Sequence, residues 1–122
     1  MEPREALIAF LTSTLTKSKR DRYVGFASKH KTETKFLSAI YHDLENCFDQ
    51  TKRVTSFKQP VLELPGYRFA PSNVFGEPMA SIGEVCNGWD ESFLVVSVDG
   101  RYGIHGPETM IDSRAFYIAS SK

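Results

Sequence analysis

The densest apolar pattern lies in the C-terminal half of the chain, where a continuous run of large side chains meets a turn sequence. The run covers residues 93–98 and is followed by Asp99 and Gly100, after which apolar and polar residues alternate. An Asp-Gly pair suits a two-residue turn in which both central residues adopt positive φ. The pattern therefore predicts a β-hairpin at Asp99-Gly100 whose first strand lies inside a sheet.

Helical spacing dominates the first half of the chain. A first helix is predicted from Pro3 to about residue 16, because proline suits the first turn and leucines and a phenylalanine follow at helical spacing. A second helix around Tyr23 and Phe26 is favoured over a short strand, because helical segments lie on both sides. The clearest helix follows Thr32, which can cap it, and runs to about residue 49. Its apolar stripe predicts nearly complete burial of Leu37, Ile40 and Leu44.

Prolines and glycines interrupt the patterns after residue 50. Leu62 and Leu64 lie among prolines and predict an extended or edge segment. Polar and apolar residues alternate over residues 67–70, which predicts a strand. Residues 77–86 predict a short helix that begins with a Glu-Pro pair. Three strands are predicted to complete the chain, at residues 93–98, 101–105 and 115–120.

Together these elements predict an α+β fold, in which an N-terminal helical layer packs on a small, mainly antiparallel C-terminal sheet. We expect residues 1–122 to form a single domain, because 122 residues are enough to bury a core. No apolar run approaches the ~20 residues of a membrane span, and the first residues lack a signal-peptide pattern. A cytoplasmic location is expected, with Cys47 and Cys86 as reduced, buried thiols.

Charge is unevenly distributed although the formal net charge is zero. Residues 1–60 contain 11 Lys and Arg against 7 Asp and Glu, whereas residues 61–122 contain 4 against 8. The positive excess is concentrated in a basic segment from Lys17 to Lys35. Such asymmetry indicates an anionic partner, an attraction between the two halves, or a solvated helix face. We favour the last two explanations.

Three cations of the basic segment are the candidate anion contacts: Lys19, Arg20 and Arg22. The aromatic residues among them, Tyr23 and Phe26, have the composition of a surface that stacks bases and binds phosphates. At helical spacing, however, these aromatics are expected to face the core. The sequence pI of about 6.8 is also low for a nucleic-acid-binding protein, so we expect nucleic acid not to be the partner.

A second candidate contact precedes the central strand and consists of Trp89, Asp90 and Glu91. A tryptophan flanked by acidic residues in a loop can anchor a protein partner, although it more commonly covers the core. The acidic second half of the chain suits the same kind of contact.

The sequence contains no pattern that predicts catalysis or metal binding. His30, His42 and His105 are far apart, and no closely spaced cysteine pair supplies metal ligands. Ser97 interrupts the apolar strand, but the predicted hairpin register pairs His105 with Leu94, which argues against a Ser97–His105 pair. We therefore predict no catalytic residue, no metal and no cofactor.

The expected function is that of a small, non-enzymatic protein-binding or regulatory module. An immunity-type protein that masks a partner's active site fits the acidic second half. Two alternatives remain open: a nucleic-acid-associated module that uses the basic segment, and a small-ligand or enzyme domain whose site is assembled from distant residues. A homodimer is also open. The chain broadly resembles small bacterial proteins of this size, and no residue role follows from that likeness.

Overall fold

The C-terminal part of the chain forms a six-stranded antiparallel sheet. It is described here from a computed structural model that covers residues 1–71, 74–87, 91–106 and 116–120, with the backbone alone at 41, 42, 86, 87 and 116. The strands are β1 (Arg53–Val54), β2 (Gly66–Phe69), β3 (Glu77–Met79), β4 (Phe93–Ser97), β5 (Tyr102–Gly106) and β6 (Phe116–Ala119). They lie in the order β1-β6-β5-β4-β2-β3, so the apolar strand β4 is interior, as predicted.

Three helices precede the sheet and confirm the α+β class. They are α1 (Pro3–Thr14), α2 (Lys17–Ser28) and α3 (Glu33–His42), and a single turn, α4 (Gln59–Leu62), follows. Helices α1 and α3 contact strand β4, whereas α2 packs on α1 and α3. Within the described residues, no helix combines the length and the apolar character needed to cross a bilayer.

The third helix is shorter than its apolar stripe predicts. The prediction of a helix to about residue 49 was wrong beyond His42, and the chain continues as a 3₁₀ segment, Leu44–Cys47. Backbone hydrogen bonds to the end of α1 replace the helical ones there: the Thr16 N–H donates to the Cys47 carbonyl at 2.8 Å, and the Asp49 N–H donates to the Thr14 carbonyl at 2.7 Å. Tertiary pairing therefore ends the helix.

The core face of α3 is also rotated slightly from the predicted one. Ile40 and Leu44 are fully buried as predicted, but Leu37 is only half-buried and Phe36 takes the fully buried position. The predicted cap was wrong as well. The Thr32 hydroxyl does not cap the helix but donates to the Phe26 carbonyl at 2.6 Å.

Two proline-containing segments adopt structures that their patterns did not predict. Leu62 belongs to helix α4 rather than to an extended segment, because Pro60 occupies the first turn, where no amide hydrogen is needed. The helix predicted to open at residue 77 was wrong, because this stretch forms edge strand β3. Gly76, at φ +78°, turns the chain back to pair with β2. Pro78 is tolerated at the edge of a sheet.

The β4–β5 hairpin is confirmed, but its turn differs from the predicted one. Only Gly100 has positive φ, at +73°, and its N–H donates to the Ser97 carbonyl at 2.8 Å. Asp99 contributes its side chain instead, which accepts hydrogen bonds from the Ser97 hydroxyl at 2.5 Å and from the Arg101 N–H at 3.0 Å. The same hydroxyl accepts from the Tyr102 N–H at 3.1 Å. The buried Ser97 therefore braces the turn.

The sheet is covered by apolar side chains on both faces. Helices α1–α3 cover one face, where Phe10 packs so closely on Gly103 that an added Cβ would lie 2.3 Å from the phenyl ring. The residues around α4 and the 3₁₀ segment Ile82–Asn87 lie on the other face. The second cluster contains Phe57, Ile82, Val85, Phe93, Val95 and Ile104.

Candidate functional site

Helix α2 presents a cationic surface because only a narrow stripe of it is buried. Tyr23 and Ala27, four residues apart, lie on the face that packs into the helical layer. Gly25 is exposed on this helix, and a Cβ added there would meet no other atom within 4 Å. Most of the other positions are polar or charged, so the helix turns its cations outward.

We define the basic surface as the exposed cations on the Arg22 side of α2, in the connector and at the start of α3, together with one half-buried ring. Lys17 is exposed but lies about 140° around α2 from Arg22, so it is not part of this surface. Over residues 17–35 there are seven Lys and Arg against two carboxylates, a net charge of +5. The basic surface contains Lys19, Arg22, Phe26, Lys29, Lys31 and Lys35.

Phe26 joins the two helices that carry these cations. The Arg22 guanidinium carbon and the Lys35 ammonium nitrogen each lie 5.7 Å from the centre of its ring. The Tyr23 ring meets it edge to face, with centroids 5.8 Å apart. A cation within about 6 Å of an aromatic ring is attracted by its negative face. One cation from α2 and one from α3 therefore contact the same ring, that of Phe26.

The Glu33 carboxylate, at the start of α3, is bound by Arg4. One Arg4 nitrogen donates to the Ala27 carbonyl at 2.6 Å, and another forms a salt bridge with Glu33. The same guanidinium lies 4.9 Å from the centre of the Phe75 ring. Arg4 thus ties the start of α1 to the end of α2 and the start of α3.

In the part of the chain that the structure describes, no cation of the basic surface forms an ion pair with a carboxylate. The salt bridges among the described residues join Arg4 and His30 to Glu33, and Arg68 to Glu77. Each lies within one half of the chain, and none involves a cation of the basic surface.

The structure separates the three predicted anion contacts. Lys19 and Arg22 are exposed on the basic surface, whereas Arg20 is half-buried. One Arg20 nitrogen lies 3.4 Å from the Leu15 carbonyl, at the junction of α1 and α2. An anion-binding role for Arg20 stays a prediction.

The predicted partner contact before β4 falls mostly outside the described residues. Trp89 and Asp90 lie there, and Glu91 is half-buried at the edge of the described part. A contact role for these three residues stays a prediction.

The two histidines whose side chains are described, His30 and His105, lie in different surroundings. His105 is fully buried and opposite Leu94, as the hairpin register predicts, and its Nε2 donates to the Ile40 carbonyl at 3.1 Å. Burial lowers its pKa from 6.5 to about 4, so the ring is neutral at pH 7. His30 is instead 93 % exposed, and the His42 side chain lies outside the description. Among the described residues, no group of three metal-ligating side chains is found.

Cys47 is a free, buried thiol, as predicted. Its Sγ donates to the Asp43 carbonyl at 3.3 Å. Burial is the main cause that raises the pKa of the thiol, and a raised pKa disfavours the reactive thiolate. The Cys86 side chain lies outside the description, so its burial stays a prediction.

Comparison of the chain with protein-family models, curated proteins and solved structures gives no match. The basic surface is therefore the feature of the molecule from which we infer a function.

Proposed function

We propose that this chain is a cytoplasmic, non-enzymatic binding module whose basic surface docks onto an acidic surface of another protein. The observation that supports it is the set of five exposed cations of the basic surface, none of which is paired with a described carboxylate. Complementary charge steers association and suppresses wrong partners. An acidic protein surface is the complement of this one.

The position of Phe26 favours a protein over a nucleic acid as the partner. A single-stranded nucleic acid gains much of its affinity from bases that stack on open aromatic faces. The Phe26 ring is already contacted by Arg22, Lys35 and Tyr23, and Tyr23 itself is buried. Base stacking would have to displace these contacts, whereas a carboxylate needs only the outward-facing cations.

The proposal is tested by fluorescence anisotropy with three labelled probes of equal length: an oligoglutamate peptide, an oligoglutamine peptide and a single-stranded DNA. We expect the glutamate peptide to bind, the glutamine peptide not to bind, and the affinity to fall between about 50 mM and about 200 mM salt, as screening predicts. Absence of glutamate binding at low salt would contradict the proposal. Tighter binding of the DNA would favour a nucleic-acid-associated module instead.

A further inference from the structure

We infer that Arg22, Phe26 and Lys35 form the centre of the basic surface, and that this centre binds an acidic segment with an apolar side chain beside its carboxylates. The inference rests on the proposed function and names the chemistry of its partner. It assigns different roles to cations that have the same formal charge.

The two central cations are positioned before any partner arrives. Arg22 and Lys35 belong to different helices, yet each lies 5.7 Å from the same ring. Thr32 fixes the connector between these helices by donating to the Phe26 carbonyl. Long side chains that are held in place lose less conformational entropy on binding, so more of the interaction energy appears as affinity.

Phe26 also supplies the apolar part of the centre. It is half-buried and packs against the helical core, so part of the side chain stays accessible beside its two cations. An aliphatic side chain needs only this part, whereas a stacked base needs a whole free face of the ring. Arginine and aromatic residues are enriched among the residues that dominate binding energy. The partner segment is therefore expected to place a leucine-sized side chain on Phe26 and carboxylates on Arg22 and Lys35.

The other cations have a different role because no ring in the described part holds them. Lys19, Lys29 and Lys31 are exposed. Exposed charges of this kind act mainly on the rate of association and its salt dependence. Lys19 lies in α2 and Lys29 directly follows the helix, ten residues further on, which corresponds to about 15 Å. An extended acidic segment of about five residues spans that length.

The experiment compares three double variants with the same change of charge. The centre is changed by Arg22→Gln with Lys35→Gln, and the periphery by Lys29→Gln with Lys31→Gln. A control away from the surface is Lys17→Gln with Lys58→Gln. Lys17 lies about 140° around α2 from Arg22, and Lys58 precedes α4.

The probe is a labelled glutamate peptide with one central leucine, titrated into each folded variant. We expect the dissociation constant to rise about tenfold for the centre variant, about threefold for the peripheral one, and not measurably for the control. Equal losses at the centre and the periphery would overturn the inference while leaving the proposed function standing. Absence of binding by the unaltered protein would instead contradict the proposed function.

A second measurement tests the apolar contact without altering the protein. The central leucine of the peptide is replaced by glutamine, which keeps every carboxylate. We expect the dissociation constant to rise about threefold or more, because part of the apolar area buried on Phe26 is lost. Equal affinity for the two peptides would refute the apolar part of the inference.

Discussion

Protonation of His105 is predicted to destabilise the fold in mild acid. The ring is fully buried between the end of α3 and the sheet, donates to the Ile40 carbonyl and lies against Phe48, with ring centroids 5.7 Å apart. Because burial disfavours the imidazolium, the pKa in the folded state is about 4, against 6.5 for an ordinary histidine. The unfolded chain therefore binds this proton more readily than the folded chain does.

The sign and size of the effect follow from these two pKa values. Above pH 6.5 both states are neutral at this position and the full stability is present. As the pH falls from 6.5 towards 4, the unfolded state takes up the proton first, so the free energy of unfolding decreases. One pKa unit is worth about 1.4 kcal/mol, and the difference between the two values corresponds to roughly 3 kcal/mol.

Urea denaturation between pH 7 and pH 4.5 measures the effect, with His105→Gln as the test variant. Glutamine keeps a hydrogen-bond donor and does not titrate, so the variant should lose less stability on acidification than the unaltered protein. His30→Gln is the matched control, because it removes an exposed histidine and leaves the buried ring in place. The reasoning is refuted if His105→Gln shows the same pH dependence as the unaltered protein.

Two further predictions concern the helical layer. Leu44→Ala should lower the free energy of unfolding by ~2–5 kcal/mol, and Leu37→Ala should lower it by clearly less, because Leu44 is fully buried and Leu37 is half-buried. Urea denaturation of the two variants measures both losses, and equal losses would contradict the assigned burial. The Cys47 thiol should resist a thiol reagent in the native protein and react after unfolding, because it is buried and its pKa is raised. Rapid labelling of this residue in the native state would show an accessible thiol and contradict the prediction.

Local patterns in the sequence predict those elements that local chemistry determines. The spacing of apolar residues placed helix α1, and the helical segments on either side of Tyr23 and Phe26 favoured α2. The hairpin register was correct to the residue, with His105 opposite Leu94. The end of α3 could not be read in this way, because hydrogen bonds from residues 14–16 stop it. Strand β3 was missed for a similar reason, since its pairing with β2 outweighs the helical pattern of residues 77–86.

The candidate site was only partly visible in the sequence. The positive segment and the cations Lys19 and Arg22 could be identified from charge alone. From its helical spacing, Phe26 was expected to face the core. The structure instead shows a half-buried ring that contacts two cations. The four-residue spacing of Arg22 and Phe26 was a usable signal, because such pairs are neighbours on a helix. The contact between Lys35 and the Phe26 ring depends on how α3 packs on α2, and no local pattern in the sequence specifies that packing.

The most direct test of a basic surface that binds an acidic segment is an amide NMR titration of the protein with the leucine-containing glutamate peptide. The account predicts chemical-shift changes concentrated at residues 19–35 and largest near Arg22, Phe26 and Lys35. It would be contradicted by changes concentrated around Glu91 and the start of β4, or by changes spread evenly over the exposed lysines, including Lys17 and Lys58.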